Sequence, residues 1–109
     1  MTTQEITRNE LHMRMTNKAP MVLLEALPET YYSRGHLPGA LNLPHDRVRA
    51  LAGALVPEKT AEIVVYCASR TCQNSHLAAA TLKGMGYANV RVFTGGKQEW
   101  EEAGLPLEG

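Results

Sequence analysis

A chain of 109 residues with 44% apolar composition and no long polar tract is large enough to bury one core without staples, so a single domain over 1–109 is expected. Eleven Lys and Arg balance eleven Asp and Glu, and a net charge of zero excludes the electrostatic footprint of a nucleic-acid or acidic-membrane partner. The start, MTTQEITRNELHMRM, lacks a basic stretch followed by an apolar run, and no window is apolar enough to span a bilayer, so a cytoplasmic protein is expected.

In chain order, TRNE at 7–10 reads as a capping box, with Thr7 accepting from the first helical amides and Glu10 reaching back, and predicts a helix to about Met15. MVLLEA at 21–26 is a continuous apolar run of the kind a buried parallel strand carries. PETYYSRGHLPG predicts one or two helical turns and a loop, and ALNLP a brief strand. Val48, Leu51, Ala52 and Leu55 recur at helical spacing, with Asp46, Arg47 and Arg49 on the other faces. EIVVYC is the strongest strand signal, β-branched and bounded by polar loops, and belongs at the centre of the sheet. A helix from about Gln73 to Met85 would bury Leu77, Ala78, Thr81, Leu82 and Met85, with Gly86 as its cap. NVRVF is a further strand, and TGG turns it into a last helix around KQEWEEAG. Alternating strands and helices with short connections imply an α/β fold, a parallel sheet sandwiched by helices, with its site at the carboxyl ends of the strands. No apolar stripe is left over once the helices cover the sheet, so a monomer is expected.

Cys67 falls at such an end, and the only other cysteine, Cys72, lies in the same loop. Two cysteines cannot make a multi-bridge scaffold, and in a reducing cytosol both are expected as free thiols. A loop running from a strand end into a helix N-terminus converges backbone amides on a concave site that favours negative charge. That field lowers a thiol pKa and makes the sulfur nucleophilic, and Arg70 adds to it if it points inward. Ser69, Thr71, Gln73 and Asn74 offer further hydrogen bonds. The competing reading is that Cys67 simply completes a buried strand, as free cysteines often do.

Four pieces resemble the rhodanese homology domain: RGHLPGALNLP at 34–44, IVVYC ending at Cys67, LKGMGYANVRVFTGG at 82–96, and Trp100 in GGKQEW. Their order and spacing cover nearly the whole chain. The resemblance implies an α/β fold with a parallel sheet of about five strands and a cysteine, here Cys67, that carries a transferable sulfur as a persulfide. It implies a sulfurtransferase that takes sulfur from a small donor such as thiosulfate or a persulfide and passes it to a thiol, cyanide or a protein acceptor, with no cofactor and no metal. Ala68, Ser69, Arg70, Thr71, Cys72 and Gln73 would form the substrate-binding loop. His36, Gly39, Gly95, Gly96 and Trp100 would belong to the structural motifs.

The sequence also departs from that family. CASRTCQNS is about two residues longer than the commonest form of the loop, on a count back from Gly86. LLEALPETYY replaces an Asp-x-Arg, so Glu25 stands where the acid would be and Leu27 supplies no cation. Phosphatases of the same fold use an arginine six residues after the cysteine, where this chain has Gln73. Cys72 has two readings: a resolving thiol that attacks a persulfide or sulfenic acid on Cys67, or a small buried residue at the helix start. Cys67, Cys72 and His76 have the ligand types for a metal but no fourth ligand nearby. His36 is read as fixing the backbone of its turn in preference to acting as a base, His76 as solvated, and Trp100, Tyr31 and Tyr32 as packing groups. The functional alternative is a non-catalytic rhodanese-like binding or redox-sensing module that uses the Cys67/Cys72 loop.

Overall fold

The computed structural model describes residues 4–109. Five strands form one parallel sheet in the order β1-β5-β4-β2-β3: β1 Gln4–Glu5, β2 Val22–Glu25, β3 Leu41–Asn42, β4 Glu62–Tyr66 and β5 Asn89–Phe93. The β-branched run EIVVY lies at the centre, flanked by β5 and β2, and all of it but Glu62 is buried. β1 is too short and too exposed to leave a periodic signal, and sequence reasoning missed it.

Five helices cover the two faces: α1 Arg8–Thr16, α2 Glu29–Arg34, α3 Val48–Leu55, α4 Asn74–Gly84 and α5 Gly96–Glu102. Because successive strand side chains point to opposite faces, each strand divides its residues between two cores. Leu24, Ile63, Val65, Val90 and Val92 pack against α3 and α4 through Val48, Ala52, Ala78, Ala79 and Leu82. Leu23, Val64, Tyr66 and Phe93 pack on the other face with Leu11 of α1 and Trp100 of α5. The register that sets Leu24 beside Val65 and Leu23 beside Val64 also sets Glu25 beside Tyr66.

Three local expectations change. Thr7 caps α1 by accepting from the Glu10 amide at 3.1 Å, but the reciprocal half of the box does not form, because the Glu10 carboxylate is drawn to Arg91 at 2.9 Å. On α4 the buried face is Ser75, Ala78, Ala79 and Leu82, whereas Leu77 is 52% exposed. Tyr31 is likewise an exposed residue and not a packing group. Gly86, at φ +101°, follows α4 in a conformation that only glycine adopts freely, and the Tyr87 amide closes the turn on the Leu82 carbonyl at 3.1 Å. No described helix is long and apolar enough to cross a membrane.

Candidate active site

Cys67 is the residue after β4, so the central strand delivers it to the carboxyl edge of the sheet. From there the chain turns within Ser69–Cys72, closed by the Cys72 amide on the Ser69 carbonyl at 3.1 Å, and enters α4. The start of the loop is tied to α5: the Lys97 amide donates to the Cys67 carbonyl and the Gln98 amide to the Ala68 carbonyl, each at 2.9 Å. Gly96 makes this approach possible. It sits at φ +64° with Cys67, Ala68 and Ser69 backbone pressed against it, and a Cβ there would collide with all three. Among the described residues the amides of Ala68, Ser69, Arg70, Thr71 and Gln73 donate to no protein acceptor, which leaves a run of donors along the loop. No side chain caps α4, whose N-cap position is Gln73.

The two cysteines are joined in a Cys67–Cys72 disulfide with Cα atoms 6.4 Å apart, in place of the free thiols expected from a reducing compartment. In this closed loop Cys67 is only 1% exposed, while Cys72 is partly exposed. Arg70 does not point inward. Its side chain is 69% exposed, and the guanidinium pairs with Glu99 of α5 at 3.1 Å. Ser69 and Thr71 share a hydroxyl–hydroxyl bond at 3.2 Å. Beside the loop, Arg70, Thr94, Gly95 and Glu99 line a cavity of about 140 Å³. A larger groove of about 400 Å³, between Met15, Met21, Pro38, Trp100 and Pro106, includes no residue of the Cys67 loop.

Behind the loop lies a polar cluster that sequence reasoning found only in part. Glu25 is fully buried; its Oε1 accepts from the Tyr66 hydroxyl at 2.7 Å and from Lys97 Nζ at 3.0 Å, and its Oε2 has no hydrogen-bond partner among the described residues. Lys97, with a side chain 13% exposed, thus supplies from α5 the cation that Leu27 does not, and it donates again to the Tyr31 carbonyl at 2.9 Å. The Tyr66 oxygen in turn accepts the Leu37 amide at 3.0 Å. Burial, then the charge of Glu25 and the hydrogen bond to it, hold the Tyr66 hydroxyl protonated well above the ordinary tyrosine range, and the Leu37 amide opposes this. The same residue, Lys97, therefore holds the Cys67 carbonyl through its amide and the buried carboxylate through its side chain. A carboxylate ending an apolar strand is a sequence signal that a cation must come from elsewhere, although it does not say from where.

The other motif residues sit around this centre. His36 Nδ1 lies 3.0 Å from the Tyr32 carbonyl, its ring stacks on Tyr32 at 3.9 Å, and its backbone exchanges two hydrogen bonds with Glu108. Burial, with smaller contributions from Glu25 and Glu108, raises the Tyr32 pKa, and its hydroxyl donates to the Ala40 carbonyl at 2.6 Å. The Gly39 amide donates to the Glu108 carboxylate at 3.0 Å, Gly95 precedes α5, and Trp100 is buried with its indole N–H on the Pro106 carbonyl at 2.8 Å. Among the described residues no hydrogen bond links His36 or Gly39 to the Cys67 loop. His76 lies in the first turn of α4, partly exposed.

Fold and site together define an α/β domain that presents a cysteine loop at the carboxyl edge of a parallel sheet. A sequence model of the rhodanese-like domain matches residues 7–103. The chain belongs to the rhodanese-like domain family. It is 33% identical over 90 residues to the adenylyltransferase and sulfurtransferase UBA4 of Candida albicans, covering 79% of this chain and 20% of that protein. It is 33% identical over 107 residues to the HTH-type transcriptional regulator Rv0324 of Mycobacterium tuberculosis, covering 94% of this chain and 44% of that one. The chain thus spans less than half the length of these relatives. The solution structure of the rhodanese-like domain of the Alr3790 protein from Anabaena sp. superimposes with a TM-score of 0.85 at 25% identity, covering 99% of this chain and 80% of that one.

Proposed function

We propose that this domain is a sulfurtransferase that moves a sulfane sulfur from a donor such as thiosulfate to a thiophilic acceptor through a Cys67 persulfide. The observation that carries this reading is the placement of Cys67 at the end of the central strand, ahead of a run of loop amides with no protein acceptor and the N-terminus of α4. Family membership and the sulfurtransferase among its relatives support it. In the reduced loop, the field of the helix and the free amides favour the thiolate. The thiolate attacks the outer sulfur of thiosulfate; the new Cys67 S–S bond forms as the bond to sulfite breaks, and sulfite leaves with the electron pair. The same amides then neutralise the anionic terminal sulfur until a thiol, cyanide or a protein nucleophile removes it. Sulfur alone carries the chemistry, and a cytoplasmic setting suits a site that must be reduced to act.

Because Cys67 is buried when bonded to Cys72, attack on a donor requires that bond to be reduced first. The test is therefore run on reduced protein. After incubation with thiosulfate, intact and peptide masses are expected to show one added sulfur assigned to Cys67 in a Cys72→Ser protein, and none in Cys67→Ser. The same disulfide favours a second reading, a redox-responsive module without turnover; a folded, reduced protein that takes no sulfur from thiosulfate or from a persulfide donor would select it.

A further inference from the structure

We propose that Cys72 is the first acceptor of the reaction: it resolves the Cys67 persulfide within the loop, releases the transferred sulfur as hydrosulfide, and makes the domain a donor-dependent sulfide-releasing enzyme that a dithiol reductant must reset. This rests on the sulfurtransferase reading above. It is carried by three observations. The loop brings the two sulfur atoms into bonding contact with Cα atoms 6.4 Å apart, within the span a disulfide requires. The contact is between the two Sγ atoms, so the atom of a Cys67 persulfide within reach of Cys72 is the inner sulfur, not the outer one. Cys72, partly exposed at the turn closed by its own amide on Ser69, can exchange protons with solvent before it attacks.

The step balances without an added oxidant. The persulfide anion on Cys67 and the Cys72 thiol combine: the Cys72–Cys67 bond forms, the bond between inner and outer sulfur breaks, and the outer sulfur leaves with the electron pair and the proton that Cys72 gives up, as hydrosulfide. The two protein thiols are oxidised to the disulfide, and the sulfane sulfur taken from the donor is reduced. With thiosulfate the sum is one sulfite and one hydrosulfide released per disulfide formed. Hydrosulfide is a weakly basic leaving group, which speeds the exchange. A thiol tethered five residues away attacks at an effective concentration on the order of millimolar or above, so it competes with any free acceptor. A second turnover needs a dithiol, small or protein-borne, to reduce the bond by thiol–disulfide exchange.

The anion-stabilising amides that favour a lasting persulfide act against this step, because they hold the charge on the outer sulfur. In the disulfide form Cys67 is 1% exposed, and its sulfur, bonded to Cys72, has no thiolate with which to attack a donor. The product state is thus also an unreactive state, and a donor cannot be attacked until the reductant has acted.

The experiment uses fully reduced protein, freed of reductant under anaerobic conditions and given excess thiosulfate. Wild type is expected to release sulfite and sulfide in equal amounts, about one of each per chain, and to end two hydrogens lighter with both thiols lost. Cys72→Ser is expected to release sulfite, keep one sulfur on Cys67, and form sulfide at least about tenfold more slowly, given the loss of the tethered thiol. Cys72→Ala repeats the measurement, and near-native melting of either variant shows that the fold is kept. A wild type that holds the persulfide as long as the variants do, or that carries the extra sulfur on Cys72, overturns the proposal while leaving the sulfurtransferase reading intact. Failure of all three proteins to take sulfur or release sulfite overturns both.

Discussion

Replacing Lys97 with methionine keeps the aliphatic stem but leaves the Glu25 carboxylate, fully buried, without its cation. At the observed 3.0 Å and an effective dielectric near 20, the lost attraction is about 5.5 kcal/mol. Desolvation of the two ions in the native protein offsets part of this. The Tyr66 hydroxyl still donates to the same carboxylate oxygen. Breaking a buried pair from one side therefore costs about 3–5 kcal/mol. For a chain of this length that is a melting temperature lowered by more than about 12 °C. The assay is urea denaturation of wild type, Lys97→Met, Glu25→Gln and the double variant. The double variant is expected to be more stable than the sum of the single losses by more than about 2 kcal/mol, since neither ion is then left alone. A coupling below about 0.5 kcal/mol would mean that the pair behaves like an exposed salt bridge, and the account of Lys97 as the buried counter-ion would be wrong.

Gly96→Ala forces a side chain into a left-handed conformation, about 1–2 kcal/mol, and into the Cys67–Ser69 backbone; it is expected to lose more stability than that and to slow persulfide formation, whereas a stable, fully active variant would refute the close approach. Alkaline unfolding reports on Tyr66. Its folded pKa is raised above the unfolded value near 10, so its contribution is present below that pH and falls by about 1.4 kcal/mol per unit above it. Tyr66→Phe is expected to flatten the stability slope above about pH 10 by that amount, and an unchanged slope would contradict the hydrogen-bonded, buried hydroxyl. Arg70→Ala removes only an exposed pair, so the expected change in stability is below about 0.5 kcal/mol; a larger loss would show that the Arg70–Glu99 bond anchors the loop.

The sheet was legible wherever the chain is both apolar and β-branched. Residues 62–66 could be placed at its centre because such a run has no polar face to expose, and the alternation of helices then fixed the parallel topology. Gln4–Glu5 could not be found, because two exposed polar residues acquire strand geometry only by pairing with β5. Leu77 shows the limit of periodicity on an alanine-rich helix: with Ala78, Ala79 and Ala80 next to it, several faces are nearly equally apolar, and packing chose the one with Ser75 and Leu82. At the site, Cys67 was readable from its position after the strand. The inward Arg70 was not obtained, because Glu99, close only in three dimensions, offers it a solvated partner. Lys97 was invisible for the same reason, being far from Glu25 in sequence and brought to it by α5.

The pairing of Glu25 with Tyr66 across β2 and β4 has a consequence for how the chain finds its fold. A slip of β2 by one residue along β4 would turn Glu25 to the opposite face, among Leu24's neighbours Val65, Val48 and Ala52 and away from Lys97 and the Tyr66 hydroxyl. An aliphatic residue at this position would tolerate either alignment, since both faces of the sheet are apolar. The buried carboxylate does not. It makes the misaligned sheet costly by the desolvation of an unpartnered charge, and so the cluster behind the cysteine loop also selects the alignment of the two central strands.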